Sequence, residues 1–167
     1  MIASLNFFFH TVGVGLIFAV VTAGWLLNRK LETEQNIAQK LYLAGILRTI
    51  GLFSPVASLL LLITGIGNIH FRYLGSTLSW YSEGWLVAKI MSLAVMLVNG
   101  TVLGPMLSRN RSALLREMAE HKAPENAESM LNTLGRQILQ FNLVQWILLL
   151  AILLLSTSGT GKHPALF

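Results

Sequence analysis

The chain has 167 residues, of which 54% are hydrophobic and only 11% charged, against roughly 25% charged in a soluble domain. Water cannot be the solvent for that surface, and so much apolar area also excludes intrinsic disorder. Cysteine is absent and all seven acidic residues are Glu. Disulfides, thiolate metal sites, iron–sulfur clusters, covalent haem attachment and cysteine nucleophiles are therefore excluded, and paired-carboxylate catalysis has little to draw on. The expected class is all-α: an integral membrane four-helix bundle forming a single transmembrane domain over residues 1–167.

A membrane-crossing helix needs about 20 apolar residues. Four stretches qualify, over about 7–27, 49–68, 85–108 and 137–157. The first has no charge, and its first following cation is Arg29. A cleaved secretory signal carries its cations before the apolar run, so this span is expected to be retained. The second contains Pro55, which frees a backbone carbonyl near residue 51 and kinks the helix. The third carries a single charge, Lys89. The fourth is uncharged but opens with Gln137, Gln140, Asn142 and Gln145. Runs such as "WILLLAILLL" lack the alternation of a transmembrane strand.

The cations set the expected orientation. Nine of the twelve flank or occupy the connections between spans one and two (Arg29, Lys30, Lys40, Arg48) and between spans three and four (Arg109, Arg111, Arg116, Lys122, Arg136). Only Arg72 and Lys162 lie on the other side. The positive-inside rule puts both basic connections in the cytoplasm and both termini on the outer, periplasmic side. The same bias explains the net charge of +5, and nucleic acid is not an expected partner. The first connection is expected to extend both flanking helices around a short turn. The second, about 109–136, is expected to be a cytoplasmic helical hairpin broken at Pro124. In it, Arg116 and Glu120 are spaced for an exposed i,i+4 pair, and Glu125 and Glu128 for a helix start. The outer connection concentrates His70, Phe71, Tyr73, Trp80, Tyr81 and Trp85, residue types that prefer the headgroup level.

Polar groups inside the spans are costly in hydrocarbon and mark candidate functional positions. Trp85, Lys89, Ser92, Met96 and Asn99 recur at spacings of four and three. They share one helix face, which should turn into the bundle. Lys89 is either a buried cation for an anionic group or a lysine snorkelling to the outer headgroups. His10 enters the first span near its outer end, followed on one stripe by Gly13, Ile17 and Gly24. His70 ends the second span on the same side. Two histidines at one depth on neighbouring helices would suit the iron of haem. The bland alternative is a helix-to-helix hydrogen bond for His10 and an interfacial position for His70. Gln145, deeper than its polar neighbours, is expected to bond across helices. Phosphate loops, zinc-protease motifs and serine elbows are missing.

The segments "FFHTVGVGLIF", "SPVASLLLLITGIG" and "GWLVAKIMSLAVMLVNG" resemble a broad group of small bacterial membrane proteins. That group includes HemJ-type protoporphyrinogen oxidases and the membrane domain of CopD-type copper proteins. The shared elements are the early His10, Pro55 before an apolar run ending in Gly65 and Gly67, and Trp85-Leu86-x-x-Lys89. The resemblance covers roughly residues 5–105, with Asn99 and Gly100 where the group has a late His. It implies b-type haem associated with His10 and Lys89, with electron transfer or porphyrin oxidation as the activity. His10 and His70 are then the candidate iron ligands, and Trp85 the residue packing on the ring. A second reading is a non-enzymatic accessory subunit of a larger membrane complex, without a cofactor. A copper site is poorly supported, since Met91 and Met96 sit five apart and do not share a face. The expected setting is the bacterial inner membrane, with lipid as the constant partner and other membrane subunits or a second copy as further ones.

Overall fold

The computed structural model describes residues 1–73 and 79–160, the side chains of 158–160 excepted. Lys162 therefore lies outside the described residues. The described chain is helical, with no strand. Its elements are α1 (Ile2–Thr33), α2 (Ile37–Gly51), α3 (Phe53–Tyr73), a 3₁₀ turn (Trp80–Ser82), α4 (Gly84–Val98), a π-helical turn (Asn99–Leu103), α5 (Gly104–Ala119) and α6 (Ala127–Thr160). Two junctions are bends rather than loops, so the chain runs as four rods long and apolar enough to cross a membrane: Ile2–Thr33, Ile37–Tyr73, Gly84–Ala119 and Ala127–Thr157. The rods extend well past the apolar stretches, because the polar flanks continue the helices.

The connections follow local chemistry. Between α1 and α2 only Glu34, Gln35 and Asn36 leave the helix. The Asn36 side chain accepts from the backbone N–H groups of Ala38 and Gln39, capping α2. The Glu34 carboxylate accepts from the N–H groups of Asn36 and Gln35. Those bonds, the Asn36 one first, hold its carboxyl below the usual range. The α2/α3 bend falls at Leu52, three residues before Pro55, where the ring removes a helical donor. The α4/α5 junction has the same cause. Pro105, the second residue of α5, cannot donate to Thr101, and the Gly104 N–H reaches back to the Asn99 carbonyl, giving one π-helical turn.

The hairpin after α5 ends differently from the sequence expectation. Helix α5 stops at Ala119, so Glu120 is a cap residue, and its carboxylate pairs with Lys122 at 2.8 Å instead of Arg116. The next two N–H groups, of His121 and Lys122, return to the carbonyls of Met118 and Glu117. This is the double bond of a Schellman stop, and it puts His121 at φ 55°, a left-handed conformation that favours glycine.

The rods alternate in direction. Helices α1 and α3 are antiparallel: Asn6 lies beside Asn68, His10 beside Thr64, and Gly13 against Leu61. Helices α4 and α6 pair likewise, Gly100 against Gln145 and Gly104 against Phe141. An edge-to-face contact of Phe18 and Trp146, 5.7 Å between centroids, joins the two pairs through α1 and α6. Ile17, Ala57, Leu61, Met96 and Leu149 form the buried centre. Outward faces are apolar, as at Leu59, Ile63, Ile66, Val95, Val98, Ile147 and Leu154, all exposed. That surface suits acyl chains and no aqueous solvent. The basic connections 34–36 and 120–126 share one end, where Gln35, Ile37, Met118 and Glu128 line one cleft. The opposite, aromatic end gathers His10, Arg72 and Trp85.

Glycines set the spacing of α4 and α6. A Cβ on Gly104 would stand 3.1 Å from Phe141 Cζ, whereas a Cβ on Gly15 would meet nothing within 4 Å. Gly104→Val should therefore cost about 1–3 kcal/mol by overpacking, while Gly15→Ala should be neutral or stabilising by up to about 1 kcal/mol. Equilibrium unfolding in detergent separates the two. By the same measurement His121→Gly should stabilise the protein by about 0.5 kcal/mol, the relief of a left-handed residue exceeding the added freedom of the unfolded chain.

Candidate functional site

At the aromatic end, a stripe on α1 meets a stripe on α3. The Asn6 amide donates to the Thr64 carbonyl at 2.9 Å and to Asn68 Oδ1 at 2.7 Å. Gly67 makes room for it, since a Cβ there would lie 2.6 Å from Asn6 Oδ1. One turn deeper, His10 Nδ1 lies 2.9 Å from Thr64 Oγ1. The Thr64 hydroxyl proton is committed, because Oγ1 donates to the Leu60 carbonyl at 2.6 Å. The hydroxyl can then only accept from the imidazole, which assigns a proton to Nδ1; in the neutral ring the lone pair is then on Nε2. Among the described residues no hydrogen bond engages Nε2. A neutral imidazole with its Nδ1–H anchored and its Nε2 lone pair available has the arrangement of a metal-ligating histidine.

Lys89 approaches from α4. It is half-buried, and its ammonium is near enough to the His10 ring and the Arg72 guanidinium for like charges to repel. The Arg72 guanidinium lies over the Trp85 ring, 5.1 Å from its centroid. Trp85 Nε1 donates to Glu83 Oε2 at 2.9 Å. The stacked pair bridges the end of α3 to the start of α4 and forms a rim beside Lys89. The inward face expected on α4 is present: Met96 and Asn99 are buried and Trp85, Lys89 and Ser92 half-buried.

His70 stands apart. It is exposed, with its ring edge-on to Phe71 at 5.7 Å between centroids. Six residues separate it from Thr64, which turns it about 120° away from the His10 side of α3. His10, Lys89 and Trp85 therefore share one end and one interior, while His70 shares the end only. No group of three His, Cys, Asp or Glu side chains able to hold a bare metal ion occurs among the described residues.

Two polar layers complete the interior. In the middle, Gln145 Nε2 donates to the Met96 carbonyl at 3.3 Å, next to the π turn. This is the interhelical bond expected of Gln145. Asn99 and Asn142 are buried in the same region, and Asn99 Nδ2 and Gln145 Oε1 lack partners among the described residues. At the basic end, Arg111 is buried and donates from Nη2 to Asn28 Oδ1 at 2.8 Å. Counting cations by connection hides this residue among loop charges. Its register would have revealed it: Arg111 sits between Leu107 and Leu114 at spacings of four and three, on the inward stripe of α5.

Comparison with family models, curated proteins and solved structures found no match for this chain.

Thr64→Val keeps the shape and removes the acceptor. It should leave the half-buried imidazole N–H unpaired and cost about 1–3 kcal/mol, with Thr64→Ser costing less. Unfolding of both variants in detergent checks the hydrogen bond, and equal stability of Val and wild type would reject it.

Proposed function

We propose that this protein binds b-type haem at the aromatic end of a membrane-embedded bundle, where His10 Nε2 would hold the iron, and that its role is electron transfer. The observation that supports it is the His10–Thr64 bond, which orients the imidazole through Nδ1 and leaves Nε2 without a hydrogen bond among the described residues. Bound there, haem would supply one-electron chemistry at iron. The chain's own contributions are distinct. Thr64 holds the ring and its tautomer. Lys89 offers a cation to a propionate carboxylate from the neighbouring rod, in a region of low dielectric where such a pair is strong. Trp85, held by Glu83 and stacked under Arg72, walls the site toward the headgroups. His70, turned outward, is not required by this reading. The concentration of cations at the other end supports a topology with the basic end cytoplasmic, in a bacterial inner membrane.

A second reading has support from the same network. Asn6, His10, Thr64 and Asn68 join α1 to α3 by hydrogen bonds, which is sufficient reason for those residues in an accessory subunit without a cofactor.

An absorption spectrum of protein purified from haem-replete cells decides between them. The haem reading expects a Soret band near one equivalent, abolished in His10→Ala and kept in His70→Ala, with Lys89→Gln weakening retention. A folded, colourless wild-type preparation overturns it. Co-purification of a stoichiometric membrane partner by that colourless protein would establish the accessory role.

A further inference from the structure

The basic end holds a second site, independent of the haem reading. Arg111 is 3% exposed. One of its terminal nitrogens donates to Asn28, but Nε and Nη1 are buried and have no partner among the described residues. A guanidinium with two unanswered donors in the interior is costly unless an anion completes it. Glu32, the carboxylate that acts on it electrostatically, is itself exposed. Beside Arg111 opens a pocket of about 420 Å³ between the ends of α1, α2, α5 and α6, lined also by Lys40, Arg136, Glu32 and Asn132. Three cations face one carboxylate there, a surplus of two positive charges. The rest of the wall is apolar, from Leu31, Leu131 and Leu139.

We propose that this pocket binds a phosphate group, and specifically the headgroup phosphate of an anionic phospholipid. The planar guanidinium fork matches phosphate oxygens in pairs, and Lys40 and Arg136 add point charges from the two flanking helices. The pocket lies where the rods leave their apolar stretches, the depth at which a headgroup resides. Its mixed wall fits an anion joined to a glycerol backbone. Gly135 leaves the opening clear: a Cβ there would lie 3.6 Å from Glu32 Oε1, in ordinary contact, so larger side chains at this position enter the pocket.

The test uses the full chain in detergent with phosphatidylglycerol, phosphatidylcholine or inorganic phosphate added, read by native mass spectrometry and by thermal unfolding. Wild type should retain one phosphatidylglycerol in preference to phosphatidylcholine by about tenfold or more. Lys40→Gln and Arg136→Gln, both outside the buried core, should each lower that preference by about fivefold, and Gly135→Leu should remove it. Arg111→Gln is informative only if circular dichroism shows it folded, so the outcome is decided by the other three variants. Stabilisation by millimolar inorganic phosphate without a preference for phosphatidylglycerol would identify a free phosphate compound as the ligand and reject the lipid. Equal retention of both lipids with no phosphate effect, or a preference untouched by all three variants, overturns the site.

Discussion

Hydrocarbon offers no hydrogen bonds, so each polar side chain carried into these helices must find its partner inside the protein. That constraint fixes how the rods lie. Apolar side chains gain little by choosing a helix over a lipid tail, and close contact and polar pairing decide which helices associate. The α1–α3 pair is set by Asn6 and His10 against Thr64 and Asn68, with Gly13 and Gly67 permitting the approach. The α4–α6 pair is set by Gln145 against the Met96 carbonyl, with Gly100 and Gly104 doing the same. The α1–α5 contact at the basic end is set by Asn28 and Arg111. Each polar layer sits at a different depth, so together they fix the register of all four rods.

The layers differ in how completely they are satisfied, and the difference separates scaffold from site. In the middle layer a donor, Asn99 Nδ2, and an acceptor, Gln145 Oε1, are both left over. One orphan is a donor and the other an acceptor, so this layer carries no surplus of one kind that calls for a charged ligand. The basic end has no such complement. Both orphans there are donors of one cation, and the charged side chains around it are mostly cations too. The one carboxylate in the pocket wall, Glu32, is exposed and makes no hydrogen bond to Arg111 among the described residues, which is why the proposed partner is an anion from outside the chain. At the aromatic end the Tyr73 hydroxyl is buried without a partner among the described residues, and in the neutral ring His10 Nε2 keeps a lone pair that suits a Lewis acid or a proton donor. The three depths therefore pose three chemically distinct demands.

Length and apolarity make the four rods legible in the sequence, and the spacing of four and three places Lys89, Met96 and Asn99 on an inward face that the structure retains. Gln145 is legible for the same reason: an amide that deep has no aqueous partner. What sequence reasoning misses comes from proline and from register. Pro105 falls inside an apolar stretch whose length alone predicts a plain helix. A proline within a continuing helix forces its neighbours to rearrange, and the π turn is the result. The Arg116–Glu120 spacing suits a helical pair, but α5 ends one residue before Glu120. Arg111 is hidden among its neighbours by charge, because topology rules count cations per connection and ignore which side of the helix each occupies.

The two candidate sites illustrate why the depth of a charge matters less than its alternatives. Lys89 lies within an apolar span yet has an escape, since a four-carbon stem about one turn from the headgroups can carry its ammonium outward. Its placement beside His10 is informative because that escape is available and the side chain is still half-buried among other polar groups. Arg111 lies nearer the polar connection and would be an ordinary surface charge on an exposed face. Its stem is enclosed by the inward stripe of α5, with Leu107, Leu114 and Leu115 buried around it. Its hydrogen-bond partner is a neutral amide, and its Nε and Nη1 are buried without partners among the described residues. On the proposed site, an anion answering those donors would couple occupancy of the pocket to stability of the basic end.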